Sequence, residues 1–429
     1  MKKIILPLLF TILFIPVIAL IFIIGRLGMD DHISSALSFT IQSGGHSEEI
    51  SPWSADGENY YVFLPSYAKL SDLTFHLNNA QDMFLCGLPL TEGFDLSSLE
   101  LRESYELDYP AHGAVRTAHI TFLQSKNAAA MYIDTESGSM NRVHANKDYK
   151  ENAKITLIDT DGNINYQGLG SDRIKGRGNN TWRSDKKPYT LQLDEPSAML
   201  GMNSAKKWVL LSSPTDVSNI RNKIVYDFAR ETALYWTPGC EYVDLYLNGE
   251  YSGLYLLTEK IEVAEERLNI GKGAYLFSAE AALSHDFSTK SGMQIRIRNS
   301  KDLTKEETDD ANNSVHAAEN AILNASDTLF DMIDLDSWAR KYLIEEIFEN
   351  VDAGLRSQFF YAGGRSSKIF AGPIWDYDLS LGSEAPQAAA VRNPRCFYAS
   401  TAQKTAERYT LWYAALYNND VFYNRMVEI

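Results

Sequence analysis

An α+β fold is predicted for this chain of 429 residues, with a strand-rich half preceding a helix-rich half and a cleft between the two. Two observations carry that prediction. Short runs rich in aromatic and β-branched residues, separated by turn residues, recur from about residue 48 to residue 257. Segments with apolar residues at three- and four-residue spacing then follow at residues 305–323 and 337–351. There is no internal repeat.

The chain opens on an apolar stretch. Residues 4–24 are interrupted only by Thr11, Pro7 and Pro16, and as a helix they would span about 30 Å, a bilayer core. Lys2 and Lys3 precede the stretch, which keeps the N-terminus cytoplasmic and sends the remainder outside. The exit, Gly25-Arg26-Leu27-Gly28, offers no small-x-small cleavage site. That favours an uncleaved signal anchor over a cleaved signal peptide. The expected organisation is an anchor at 1–29 and a polar linker at 30–47 with a Ser-Gly-Gly break. A small all-β, sandwich-like spacer domain follows at 48–126, then a second domain at 127–429.

Composition narrows the partners. A formal net charge of −16 repels phosphate backbones and argues against nucleic acid, while permitting basic protein partners. Three widely spaced cysteines, Cys86, Cys240 and Cys396, allow at most one bridge, and no CxxC or Cys/His cluster suggests zinc. Hydrophobic residues make up 45% of the chain, enough for a large core and too many for a disordered tail.

Individual elements read as follows. Strands are expected at Tyr60-Tyr61-Val62-Phe63-Leu64, Ala118-His119-Ile120-Thr121-Phe122-Leu123, Met131-Tyr132-Ile133-Asp134, Lys154-Ile155-Thr156-Leu157-Ile158 and Tyr189-Thr190-Leu191-Gln192-Leu193. Asn248-Gly249 joins two further strands, 242–247 and 251–257, as a hairpin. Residues 217–234 form a helix with Ile220, Ile224, Phe228 and Ala229 on its inner face, capped by Ser218 or Asp216. Residues 305–323 form a more polar helix. Residues 337–351 form a stronger one capped by Asp336, with Leu343, Ile347 and Val351 at four-residue intervals beside Trp338, Tyr342 and Phe348.

The chemistry lies around two carboxylate loops. Asp352 stands where the 337–351 helix gives out. Gln358-Phe359-Phe360-Tyr361, a glycine-rich turn and Lys368-Ile369-Phe370 lead from it to Gly372-Pro373-Ile374-Trp375-Asp376-Tyr377-Asp378. Read alone, Asp352 is a helix-stop aspartate. Read with the second loop, the order is that of a phosphoryl-transfer site, one acid receiving the hydroxyl proton and others holding a divalent cation. In extended backbone Asp376 and Asp378 share a face. Two adjacent acids raise each other's pKa unless a cation intervenes. Ser357, five residues after Asp352, supplies a hydroxyl where protein kinases place a metal-binding asparagine.

Lys175-Gly176-Arg177-Gly178-Asn179-Asn180 is a glycine-flanked arginine of the kind that approaches phosphate. Lys187 shares the face of Tyr189, Leu191 and Leu193 and points inward. Lys186 reads as a solvated edge charge. Thr258-Glu259-Lys260 ends a strand where two lobes would join. Glu259 is read either as a nucleotide ligand or as a surface acid.

These segments together resemble the spore-coat CotH family of atypical secreted kinases. The resemblance rests on IKGRGNNTW with KKPYTLQL, on MLGMNSAKKWVLLSSPTDVSNIRNKIVYDFARE, on VDLYLNGEYSGLYLLTEKIEV, and on FENVD with GPIWDYDLSLG, covering roughly residues 127–385. It implies an atypical protein-kinase-like two-lobed fold that uses ATP with Mg²⁺ or Mn²⁺. It also implies phosphorylation of Ser/Thr in secreted or surface proteins, with Asp352 catalytic and Asp376 a metal ligand. Asp378 or Ser357 completes the metal site, and Arg177 and Lys187 meet the phosphates. Ser357 stands where the family usually has Asn, which leaves a catalytically degenerate binding module as the alternative. Similar proteins usually run on past an aromatic-rich helix of the kind expected at 409–423, so the sequence is consistent with a fragment. A two-carboxylate glycosidase would suit a Trp beside an acid pair, but it gives Arg177 and Lys187 no task.

Overall fold

A computed structural model of the chain describes residues 32–43, 46–77, 82–91, 94–111, 114–280, 285–354, 356–383, 393, 395, 397–400 and 411–429. The apolar segment 4–24 lies outside these. Among the described residues no helix is long and apolar enough to cross a membrane.

The chain divides into two units. The smaller takes the described residues up to Asp134 together with Ile158–Ile164 and Asp244–Gly253. Within it a three-stranded sheet built around Leu37–Ser43 and a second sheet built around Asn59–Leu64, Ser104–Ala111 and Ala114–Gln124 share one core. Phe39 of the first sheet meets Phe122 of the second edge-on at 5.4 Å. Within the expected linker, Leu37–Ser43 is therefore a strand of this sheet. Leu37, Phe39 and Ile41 alternate with polar residues and are buried, a period-two pattern that outweighs the Ser-Gly-Gly break. Asn248 and Gly249, with φ of 51° and 82°, make the turn of the predicted hairpin.

The larger unit comprises Thr135–Leu157, Asn165–Val243 and Leu254–Ile429. Its strand-rich half contains β1 (Lys150–Ile158) up to Leu157, β2 (Asp172–Gly176), β3 (Tyr189–Ser197), β4 (Ala205–Leu211), helix α1 (Arg221–Glu231), and the portions of β5 (Cys240–Leu247) and β6 (Glu250–Glu259) outside Asp244–Gly253. The strands lie in the order β1-β2-β3-β4-β6-β5. Its helix-rich half holds β7 (Tyr275–Ala279), β8 (Gln294–Ile297), α2 (Lys305–Leu323), α3 (Leu335–Ile347), β9 (Gln358–Ala362), β10 (Ile369–Ala371), α4 (Leu411–Tyr417) and α5 (Asp420–Glu428). Here β8-β7-β9-β10 form a sheet whose one face packs on α2, α3 and α4.

Helix boundaries follow their caps. Thr304 and Glu307 form a reciprocal capping box that starts α2. Helix α3 is capped by Asp334, which accepts from the Ser337 N–H at 2.8 Å, and not by Asp336. The latter turns outward to Arg425 of α5 at 2.7 and 2.9 Å.

Two predicted helix faces are rotated from where simple periodicity puts them. In α1 the buried residues are Asn222, Val225, Tyr226 and Ala229, while Ile220, Ile224 and Phe228 are exposed. In α3 they are Trp338, Ala339, Lys341, Tyr342, Ile344 and Glu345, among others, and Ile347 is exposed. In each case buried polar side chains take places on the inner face, and Asn222, Lys341 and Glu345 find their partners around the loops described below.

Candidate active site

Four of the predicted site residues converge. Helix α3 ends at Phe348, and Glu349 takes a left-handed φ of 49°. The chain turns there and presents Asp352, whose N–H donates to Asn350 Oδ1 at 3.1 Å. After β9 and β10 it returns through Ile374 and Trp375 to Asp376. Ser357 Oγ donates to Asp376 Oδ2 at 2.8 Å. Thr215 Oγ1 donates to Asp378 Oδ2. Asp376 has a φ of 71°, so this stretch is not the extended run that the i, i+2 argument assumed. The turn is held instead by side chains from α1: the Asp376 N–H reaches Tyr226 Oη at 3.3 Å, and the Tyr377 N–H reaches Asn222 Oδ1 at 2.7 Å. The Leu381 N–H, bonded to Phe348 O at 2.8 Å, ties the loop to the end of α3.

Burial and crowding set the charges. Desolvation pushes the Asp352 carboxyl up to about 7, with Asp376, Asp378 and Glu345 adding to the rise and Arg356 opposing it. Arg356 Nε lies 3.1 Å from Asp352 Oδ1. Desolvation also pushes Asp378 up, assisted by Asp376, while Thr215 opposes the rise. Arg177 faces this group, its guanidinium 5.3 Å from the centroid of the Trp375 ring. Burial lowers its pKa and the charge of Asp376 raises it.

The other predicted ligands are placed elsewhere. Lys187 precedes β3 instead of lying in it, and its ammonium donates to the carbonyls of Trp182 and Ser184, each at 3.1 Å. It closes the glycine loop on itself. The glycines serve the same packing, since a Cβ on Gly176 would strike the Trp182 ring at 2.4 Å. Glu259 is neither a nucleotide ligand nor a surface acid. It is 3% exposed, pairs with buried Arg267 at 2.9 Å, and accepts from the N–H groups of Asn203 and Gly239. The backbone of Thr258 and Glu259 is paired with Val209 and Trp208 of β4, so it offers no free edge to a base.

Two further cations share this electrostatic neighbourhood, each paired with an acid of its own, Arg298 with Glu280 at 3.3 Å and Lys260 with Glu262 at 3.3 Å. Arg298 lies over the Phe359 ring at 5.8 Å and within electrostatic reach of Arg177. Lys260, pushed down chiefly by burial, feels Arg298 in turn. Phe359 and Trp375 belong to one apolar cluster, so Arg177 and Arg298 rest on a common aromatic floor. In the sequence Arg298 sits in a plain Arg-x-Arg strand end, and Lys260 follows a strand terminus. Neither carries a motif.

No set of three Asp, Glu, His or Cys side chains among the described residues is drawn close enough to form a metal cage. Mg²⁺ is ordinarily held by one or two carboxylates plus phosphate oxygens and waters. The hydrogen-bonded pair of Asp376 and Ser357, with Asp378 behind it, fits that requirement in donor chemistry.

A strand-rich half, a helix-rich half, and a cluster of carboxylates near Arg177 agree with the kinase-like class to which the family match points. Residues 174–429 match the CotH kinase protein family. That is more than half of the sequence, and the chain belongs to this family. No curated protein matches it significantly.

Proposed function

We propose that the chain is an ATP- and Mg²⁺- or Mn²⁺-dependent protein kinase of the CotH type. In this reading it acts outside the cytoplasmic membrane and transfers phosphate to Ser/Thr hydroxyls of secreted or cell-surface proteins. The observation that carries the reading is the placement of Asp352 beside the Asp376–Ser357 pair, opposite Arg177. Asp352 orients the acceptor hydroxyl and takes its proton, because a carboxyl with a pKa of about 7 is matched to that task near neutral pH. Asp376, Ser357 and Asp378 would hold the divalent ion, which supplies charge neutralisation on the phosphates. Arg177, Arg298 and Lys260 receive the phosphate charge; Lys187 and Glu259 fasten the strand-rich half. The extracytoplasmic setting rests on Lys2, Lys3 and the apolar residues 4–24.

The test is labelling with ATP carrying a γ-phosphate reporter, in Mg²⁺ or Mn²⁺, for the native chain and for Asp376→Ala. Labelling that disappears in the variant is expected, and labelling that persists refutes the metal role. Ser357 favours a second reading, a binding module without turnover, since a hydroxyl ligates a cation less firmly than an amide oxygen. Calorimetric Mg–ATP binding by native protein that shows no transfer would select it.

A further inference from the structure

We infer that Glu345 is a positioning residue, a single buried anchor that fixes both carboxylate loops of the site at once. It lies in the last turn of α3 and is 0% exposed. Its Oε2 accepts from Asn350 Nδ2 at 2.6 Å, and the Oδ1 of the same Asn350 accepts the Asp352 N–H. Its Oε1 accepts from Tyr377 Oη at 2.8 Å, and Tyr377 separates Asp376 from Asp378. One carboxylate thus reaches Asp352 through one oxygen and the second loop through the other.

Lys341, one turn earlier and also buried, donates to Oε1. A buried ion pair is a poor source of stability, because desolvating both charges offsets most of their attraction. Its value here is directional. An ionised carboxylate accepts at both oxygens, which an amide cannot do. The neighbouring Glu346 reinforces the same loop: it accepts from the Tyr398 N–H at 2.6 Å, and Tyr398 Oη donates to Val351 O at 3.1 Å.

The turnover arm of the test rests on the kinase reading above; the exchange arm does not. In Glu345→Gln the amide keeps an acceptor for Lys341 and Tyr377 but turns a donor toward Asn350 Nδ2. Asn350 must then withdraw from the Asp352 N–H. The expected result is a kcat lower by about 10- to 100-fold with KM for Mg–ATP changed less than about twofold. The double variant Lys341→Met/Glu345→Leu replaces the ion pair with apolar volume. It is expected to stay folded while kcat falls equally. Stability restored without turnover is the outcome a merely structural role does not give. Independently of turnover, amide exchange at Asp352 and Tyr377 should accelerate at least about tenfold in whichever variant folds, with the interior of α3 still protected. Unchanged exchange at both positions, or full turnover despite faster exchange, overturns the inference. Should the native chain transfer no phosphate, the kinase reading falls and the exchange result still decides the anchor.

Discussion

Asp352 makes the sharpest prediction at the scale of single residues. Its carboxyl is pushed up to about 7, so the fraction able to accept a proton grows as pH rises through that value. The transfer rate at saturating Mg–ATP should climb about tenfold per pH unit below 7 and level off above it. Asp352→Asn should remove that limb together with most of the rate, whereas a flat profile across the range would dismiss Asp352 as the base. The cations make a second prediction. Arg177→Ala should weaken Mg–ATP binding by about tenfold or more, since an Arg–phosphate contact is charge-assisted. Lys187→Met should leave that affinity nearly unchanged and lower thermal stability instead. Calorimetry on the two variants checks both.

The loop carboxylates at a helix end and in the Trp-Asp-Tyr-Asp turn could be singled out in the sequence because such acids have few structural explanations; the roles given to them are proposed. The wrong ligands were wrong for a physical reason. Lys187 and Glu259 sit at chemically suggestive positions, but their charges are consumed by carbonyls 182 and 184 and by Arg267. A linear pattern does not show which buried charge already has a partner. Glu345 was missed for the converse reason. On a helical wheel it reads as a solvated charge, and only the fold reveals that Asn350, Tyr377 and Lys341 close around it.

At the scale of elements, α3 is the frame on which the site is hung. Its start depends on Asp334, and Asp334→Ala should cost about 1 kcal/mol in chemical denaturation. Helix α5 docks against α3 by two means whose sizes differ. The Arg425–Asp336 pair is bidentate but partly solvated, with side chains 31% and 48% exposed, and such pairs contribute less than about 1 kcal/mol. Phe422 is 0% exposed and packs edge-on against Tyr342 at 5.8 Å. Phe422→Ala should therefore cost about 3–5 kcal/mol, clearly more than Asp336→Ala. The reverse ranking would mean that electrostatics hold α5 in place. Periodicity located α2, carried α3 four residues past its end at Ile347, and did not show which faces of α1 and α3 are buried. A hydrophobic wheel assigns Asn222, Lys341 and Glu345 to water, and the protein uses them inside.

At the scale of the whole molecule, the raised carboxyls tie stability to pH and to cations. For Asp352 the folded state holds its proton up to about pH 7, whereas the unfolded chain releases it near 4. Between those values the folded state binds more protons, so stability falls as pH rises and is lowest above 7. A divalent ion held by these acids, as proposed, would relieve this crowding. Mg²⁺ or Mn²⁺ should raise the melting temperature more at pH 8 than at pH 5, and a chelator should reverse the gain at the higher pH. An equal gain at both values would place the cation away from these carboxyls.

The chain threads its two units alternately. Ile158–Ile164 and Asp244–Gly253 belong to the smaller unit although long stretches of the larger one flank them. Tyr246 is 1% exposed, stacks on Tyr132 at 4.8 Å, and donates to Phe63 O at 2.9 Å. Cutting the polypeptide after Asp134 would strip that ring, and Ile158 with it, of their surroundings. A polypeptide starting at residue 135 should accordingly aggregate, or bind dyes that report bare apolar surface, more than the longer chain does. The smaller unit thus draws its core from three separate stretches of the chain, so a single cut after Asp134 does not release it whole.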